Sequence, residues 1–221
     1  MKKDLLVFFG QYRTFDITLP YFKNLDKVDV IVSTWSNELT KEKIDLIYKY
    51  IPHAIVLTND FDKLEPRFKK DHGPMYFHWK NVIDYLDETK YEKVLLHRTD
   101  IISNWNNILD IKLEEKTLYL NTPDFQPTLS KGIVPKKGVI DRYWIDDQLI
   151  IGNVNIIKKL IETIIDNNNF EPHFPIGNVI IKEKILAKSW NDFISISPKI
   201  WESDINKDLI KEHGIQINER I

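Results

Sequence analysis

The chain contains no cysteine among its 221 residues. That removes a disulfide framework, a thiol nucleophile, an iron–sulfur cluster and any Cys-ligated zinc site. Glycine is scarce as well. Its seven residues are about half of what an average usage of about 7% would give. Neither G-x-G-x-x-G nor G-x-x-x-x-G-K-[ST] occurs, so a glycine-rich phosphate cradle of either usual kind is excluded. An excess of one charge is also missing. Lys plus Arg is 31 and Asp plus Glu is 33, for a formal charge of −2, a poor balance for a dedicated binder of nucleic acid or anionic lipid. Long apolar runs are lacking too. Leu5 to Phe9 is shorter than a signal-peptide core and leads into Gly-Gln rather than a small-residue cleavage site. No other run approaches the ~18 apolar residues of a membrane span. The expected location is the cytoplasm.

What remains is an ordinary globular composition, 43% hydrophobic and 29% charged, in a length that fits one domain without covalent staples. The first half alternates strands and helices. Asp4–Phe9 is an unbroken apolar strand of the kind covered on both faces. Phe15–Leu25 is a short helix interrupted by Pro20, and Val28–Ser33 is a second strand. Thr40 caps a helix with an Ile44, Ile47, Tyr48, Ile51 stripe that Pro52 ends. Ala54–Leu57 is a third strand, and Thr58 to Gly73 reads as a polar connection. Pro74 opens a helix carrying Met75, Trp79, Val82, Ile83 and Leu86 on one face, and Lys93–His97 is a fourth strand. The second half is looser. Thr117–Leu120 reads as a strand and Thr122 to Gly138 as a long loop. Ile145–Ile151 is a strand or turn, and Asn153 caps a helix. A last helix runs from about Ile176 to Lys188, and Phe193–Ile196 is a final strand. Such alternation predicts an α/β fold, a mostly parallel central sheet flanked by helices.

In an open parallel sheet the ligand crevice lies beyond the carboxyl ends of the strands. Gly10-Gln11-Tyr12-Arg13-Thr14 follows the first strand, Thr34-Trp35-Ser36 the second and Arg98-Thr99-Asp100 the fourth. Gly10 suits a close backbone approach to a ligand. Arg13 and Arg98 offer planar forks for phosphate oxygens, and Asp100 a carboxylate for a hard cation or a sugar hydroxyl. The plainer alternatives are that Arg13 pairs with Asp16, that Trp35 is core, and that Arg98 and Asp100 pair with neighbours across the rim. Asp146 and Asp147 form a second candidate, either as general base on an acceptor hydroxyl or as a strand terminator binding backbone amides. His97 and Asp100 could share a metal, although no H-x-x-x-H or H-E-x-x-H exists. His78 and Asn81 share a helix face, and His173 sits in a stiff Pro-flanked loop.

Four segments carry a resemblance: Gly10-Gln11-Tyr12-Arg13-Thr14 after a strand, IVSTW (Ile31–Trp35), LLHRTDI (Leu95–Ile101), and IDDQLIIGN (Ile145–Asn153) before an amphipathic helix. Together they resemble glycosyltransferases of the GT-A type, in particular the WavE-like lipopolysaccharide-biosynthesis family with related phage and virus proteins. The resemblance implies a single GT-A-like domain over 1–221. Residues 1–101 would be its nucleotide-sugar-binding half, and 102–221 its acceptor half and C-terminal helices. It implies a sugar transferase serving polysaccharide biosynthesis, with a nucleotide-sugar donor and a carbohydrate acceptor as partners. Gly10, Gln11, Arg13, Thr34, Trp35, His78, Asn81, Arg98 and Asp100 would bind the donor. Asp147 or Asp146 would act near the acceptor. Asp100 would match the last Asp of D-x-D and hold Mn²⁺ or Mg²⁺. Arg98 stands where the first acid of that motif is expected, and its cation could neutralise a diphosphate without metal. A nucleotidyltransferase and a non-catalytic glycan- or partner-binding module on the same fold are the competing expectations.

Overall fold

The computed structural model describes residues 2–12, 14–103, 108–120, 147–171 and 174–189. The expected loop Thr122 to Gly138, the expected strand Phe193–Ile196, and the candidates Arg13, Asp146 and His173 lie outside the described residues.

Seven strands form one sheet in the order β3-β2-β1-β4-β6-β5-β7. They are β1 (Lys3–Phe9), β2 (Asp29–Trp35), β3 (Ile55–Asn59), β4 (Tyr91–Arg98), β5 (Thr117–Leu120), β6 (Leu149–Asn153) and β7 (Leu186–Ser189). β1 pairs in parallel with β2 on one side and β4 on the other, and β3 adds in parallel to β2. β6 runs antiparallel to both β4 and β5, while β7 returns in parallel to β5. The sheet is therefore mostly parallel, with helices on both faces, as the alternation of elements predicts.

β1 explains why the run is unbroken. Leu5, Val7 and Phe9 point to one face, where they meet Ile31, Trp79 and Leu160. Leu6 and Phe8 point to the other and meet Val30, Val32 and Ile47. All five side chains are fully buried, each contributing roughly 1.5–3 kcal/mol relative to exposure.

The helices follow local chemistry. α1 (Phe15–Thr18) is a single turn that passes into a 3₁₀ turn over Leu19–Tyr21 at Pro20. α2 (Lys41–Tyr50) begins where the Thr40 hydroxyl accepts from the Lys43 amide at 3.4 Å. Its Ile47 and Ile51 are buried, but Tyr48 is 42% exposed and does not join the stripe. α3 (Gly73–Val82) carries Pro74 in its first turn and runs on as a 3₁₀ turn over Ile83–Tyr85. α4 (Val154–Asn167) is capped by Asn153, whose Oδ1 accepts from the Ile156 amide at 3.0 Å. α5 (Phe174–Lys182) is shorter than expected. Lys184 takes a left-handed conformation at φ 53°. The Ile185 amide donates to the Ile180 carbonyl and the Lys184 amide to the Ile181 carbonyl. That pair of bonds is a Schellman stop, and the chain beyond it becomes β7. No helix among the described residues is long and apolar enough to cross a membrane.

Two histidines are locked inside. His97 is fully buried; its Nδ1–H donates to the Arg98 carbonyl at 2.7 Å, and its Nε2 accepts from the Ser103 hydroxyl at 2.8 Å. Both of its ring nitrogens are thus engaged by protein groups, which leaves neither open toward Asp100. Burial pushes His97 down to about 4 and His78 down to about 3. At the opposite end of the sheet, partial burial would raise Asp29. Hydrogen bonds from Lys3, Lys90 and Tyr91 outweigh it and bring Asp29 to about 2.

These shifts set an acid limit. Below pH 6.5, the ordinary histidine value, the unfolded chain takes up protons that the folded chain refuses. Stability should fall by about 1.4 kcal/mol per pH unit for each histidine until the folded-state values are reached. Below about pH 4 the Asp29 contribution is lost as well, since its folded value is the lower one. Urea unfolding at pH 7.5, 6.0 and 4.5 measures the slope, and His97→Asn should flatten it by about half while lowering stability at neutral pH.

Candidate functional site

Strand order reverses between β1 and β4, and a crevice opens at such a point on the carboxyl side of a sheet. Here it is a cavity of about 300 Å³. Its walls include Phe9, Gly10 and Gln11 after β1, Trp35 at the end of β2, and Arg98, Thr99 and Asp100 at the end of β4. Because β6 runs against its neighbours, its entry rather than its exit lies on this rim, which brings Asp147 to the same cavity. The segment ahead of α3 and its first turns close the remaining side with Asp71, His72, Pro74, Met75 and His78.

Backbone bonds tie the rim together. The Gly10 amide donates to the Ser33 carbonyl at 3.1 Å, and the Thr99 amide to the Phe9 carbonyl at 3.1 Å. The Thr99 hydroxyl donates to the Gln11 carbonyl at 2.5 Å, and the Arg98 amide to the Gln148 carbonyl at 3.0 Å. Gly10 sits at φ +112°, a conformation only glycine adopts readily. This is one place where the sparse glycine supply is used. Gly73 is another: a Cβ there would lie 2.7 Å from the Phe68 carbonyl oxygen, so α3 starts only because that residue is bare.

Arg98 organises the charges. Its Nε and Nη2 grip the two Asp100 oxygens at 2.9 and 2.7 Å, and its Nη1 reaches Asp147 Oδ1 at 3.4 Å. Asp147 is 3% exposed, and its second oxygen lies 3.7 Å from His72 Nδ1. Burial and the nearby Asp147 charge push the Tyr76 hydroxyl up. Among the described lining residues, one guanidinium faces the carboxylates of Asp71, Asp100 and Asp147, a balance of 1 − 3 = −2. The plainer alternative, pairing with neighbours across the rim, describes the Arg98–Asp147 contact, whereas Asp100 pairs with Arg98 itself.

Both Asp100 oxygens are engaged by Arg98. No group of three or more His, Asp or Glu is arranged to hold a metal among the described residues.

Seven of the expected site residues meet at the cavity: Gly10, Gln11, Trp35, His78, Arg98, Asp100 and Asp147. Two do not. Thr34 is fully buried and does not line it; it is one residue out of phase with Ser33 and Trp35, and side chains alternate along a strand. Asn81 lines a separate groove beside β3 and α3 and donates to Asn59 Oδ1. Asp71 and His72 are additions that the sequence does not single out, and Thr99, inside the Arg98-Thr99-Asp100 segment, lines the cavity as well. The polar segment after the third strand looks like mere linkage. A usable signal exists, because that strand ends on the carboxyl rim, so the chain leading into the next helix must start there.

No protein-family model and no curated protein matches the chain. Among solved structures it is similar to the crystal structure of an active-site mutant of LgtC, at a TM-score of 0.54 and 13% identity. That match covers 83% of this chain and 72% of the other. It is also similar to the galactosyltransferase LgtC in complex with donor and acceptor sugar analogues. There the TM-score is 0.51 at 12% identity, over 83% of this chain and 72% of the other. The fold is thus that of the GT-A proteins.

The ion pairs give a direct test. Arg98→Met leaves Asp147 buried beside Asp100 without its guanidinium, and should cost about 1–3 kcal/mol in urea unfolding. Adding Asp147→Asn to that variant should recover part of the loss.

Proposed function

We propose that the chain is a glycosyltransferase that moves a sugar from a nucleotide-sugar donor to a carbohydrate acceptor. The observation that carries this reading is the cavity at the β1–β4 switch point, where strand-end residues of a GT-A fold converge. We read the chain as one domain, with donor binding from residues 1–101 and acceptor binding from 102–221. One of the similar LgtC structures is a complex with donor and acceptor sugar analogues, which supports the same pairing of ligands. The WavE-like segments favour a role in building polysaccharide.

The chemistry asks for three things. The donor must be held with its anomeric carbon accessible, the acceptor hydroxyl must lose its proton, and the departing diphosphate must be stabilised. Gly10 and Gln11 would admit the donor against bare backbone, with Trp35 as the aromatic wall. Asp147 would take the proton as the acceptor oxygen bonds to the anomeric carbon and the bond to the diphosphate oxygen breaks. Arg98 Nη1 donates to this carboxylate at 3.4 Å. Arg98 is also the one guanidinium among the described cavity residues that could meet the leaving diphosphate. Asp100 would orient it or a sugar hydroxyl.

One observation favours a second reading. A cavity with more carboxylates than cations repels a diphosphate, which suits a module that binds glycan without nucleotide. The two separate in one screen. Calorimetry and donor-hydrolysis assays with UDP-, GDP- and CMP-sugars, with and without Mn²⁺, should show binding and slow turnover. Asp147→Asn should lower transfer by at least about a hundredfold, while Asp100→Ala weakens donor binding. Glycan binding with no nucleotide binding and no turnover would sink the transferase.

A further inference from the structure

His78 is 1% exposed, yet it lines the cavity, and its Nε2 is a buried atom with no hydrogen-bond partner. Its other nitrogen is fully committed. Nδ1 lies 3.0 Å from Ser33 Oγ and 3.1 Å from Asn59 Nδ2. Asn59 Nδ2 also reaches Ser33 Oγ at 3.1 Å and the Thr34 carbonyl at 3.4 Å. On its far side, Asn59 Oδ1 accepts from Asn81 Nδ2. The Thr34 carbonyl sets the direction of the Asn59 amide. A carbonyl can only accept, so the Asn59 amide N–H₂ must face Thr34 and its oxygen must face Asn81. The N–H₂ then also faces His78 Nδ1 at 3.1 Å, and with one of its two hydrogens turned that way Nδ1 is the acceptor. A neutral imidazole with an accepting Nδ1 carries its proton on Nε2.

We propose that Asn59, oriented by the Thr34 carbonyl, is a positioning residue that holds His78, at the cavity wall, as an Nε2–H donor for an uncharged acceptor oxygen. This rests on the cavity being the ligand site of the proposed transferase. Asn81, outside the cavity, donates to the same amide from its far side. The class of ligand atom follows from the surroundings. The imidazole stands against the Trp35 ring, with centroids 4.2 Å apart and planes at 55°. A neutral donor beside an aromatic wall suits a nucleobase carbonyl or a sugar hydroxyl better than a phosphate, which calls for a cation. A buried N–H left unpaired is costly, so the cavity favours a ligand that supplies an oxygen at this point.

The test uses the full chain with ¹⁵N-labelled histidine. Long-range ¹⁵N–¹H spectra report the tautomer of each imidazole, and His78→Phe assigns the His78 signals by their loss. Wild type should show the Nε2–H form. Asn81→Asp supplies an acceptor where Asn59 now receives a donor. It should turn the Asn59 amide around and drive His78 to carry its proton on Nδ1, although residue 81 lies outside the cavity. Asn81→Ala should leave the tautomer alone, which separates the relay from a general loss of packing. UDP, GDP, uridine, galactose and glucose are then added in turn. At least one should shift the Nε2–H resonance, the nucleoside and monosaccharide arms telling base from sugar. That probe should bind about tenfold more weakly to Asn81→Asp and His78→Phe, with His78→Gln, which can offer its own N–H, recovering part of the loss. An Nδ1–H tautomer in wild type overturns the proposal, as does a tautomer untouched by Asn81→Asp. Nucleotide binding that leaves the Nε2–H resonance unmoved overturns it while the transferase reading stands. No binding by any probe overturns both. A monosaccharide that moves the resonance without any nucleotide binding supports the relay and removes the transferase.

Discussion

Five consecutive apolar side chains in β1 have to be covered from both sides, and the backbone between them has to be paired along both edges. That constraint governs most of the molecule. Covering two faces requires helices above and below the sheet, and so requires crossover connections and parallel neighbours. Pairing both edges puts β2 on one flank and β4 on the other. The connections leaving those two flanks then diverge, and the gap between them opens on the carboxyl side. The cavity is a by-product of burying Leu5 to Phe9. Its residues are those that happen to follow the strands at that gap, which is why a glycine at positive φ, a tryptophan and an Arg-x-Asp sequence come together from distant parts of the chain.

Within the cavity, charge and neutrality are kept apart. On the β4 and β6 side Arg98 sits among carboxylates, and its preferred partner is Asp100, held by two short parallel bonds. Where β2 meets α3, the Trp35 wall stands against His78, which burial keeps neutral and which is backed outside the cavity by the uncharged Ser33 and Asn59. A ligand that spans the space therefore meets ionic recognition at one end and directional, uncharged recognition at the other. A nucleotide sugar has both kinds of surface.

Much of the architecture is legible in the sequence because it depends on local chemistry. The β1 run, the Thr40 and Asn153 caps and the Thr117–Leu120 strand all stand where residue type and spacing place them. The strand-end rule then finds five cavity residues, Gly10, Gln11, Trp35, Arg98 and Asp100, without knowing a contact. The failures have separate causes. The last helix reads too long because its stop is a lysine in the left-handed region, where glycine is the usual marker. Thr34 groups with Trp35 by adjacency, although neighbours on a strand face opposite ways. Asn81 shares a helix face with His78 and so seems to belong in the cavity with it, but Asn59 from β3 intercepts it. Asp71 and His72 leave no pattern of their own, since they are positioned by the turn into α3 and by the His72 amide bond to the Phe170 carbonyl.

The antiparallel entry of β6 has a consequence for the order in which the molecule can assemble. β1, β2 and β3 are near neighbours in sequence and can pair as soon as they exist. β1 must wait for β4 across a long stretch of chain, and Asp147 arrives later still, with the strand that pairs back onto β4. Closing such long loops is slow relative to local pairing. No partly assembled chain lacking β6 has the complete cavity. Ligand binding therefore cannot guide the early steps of folding, and any ligand it does bind draws only on the finished sheet.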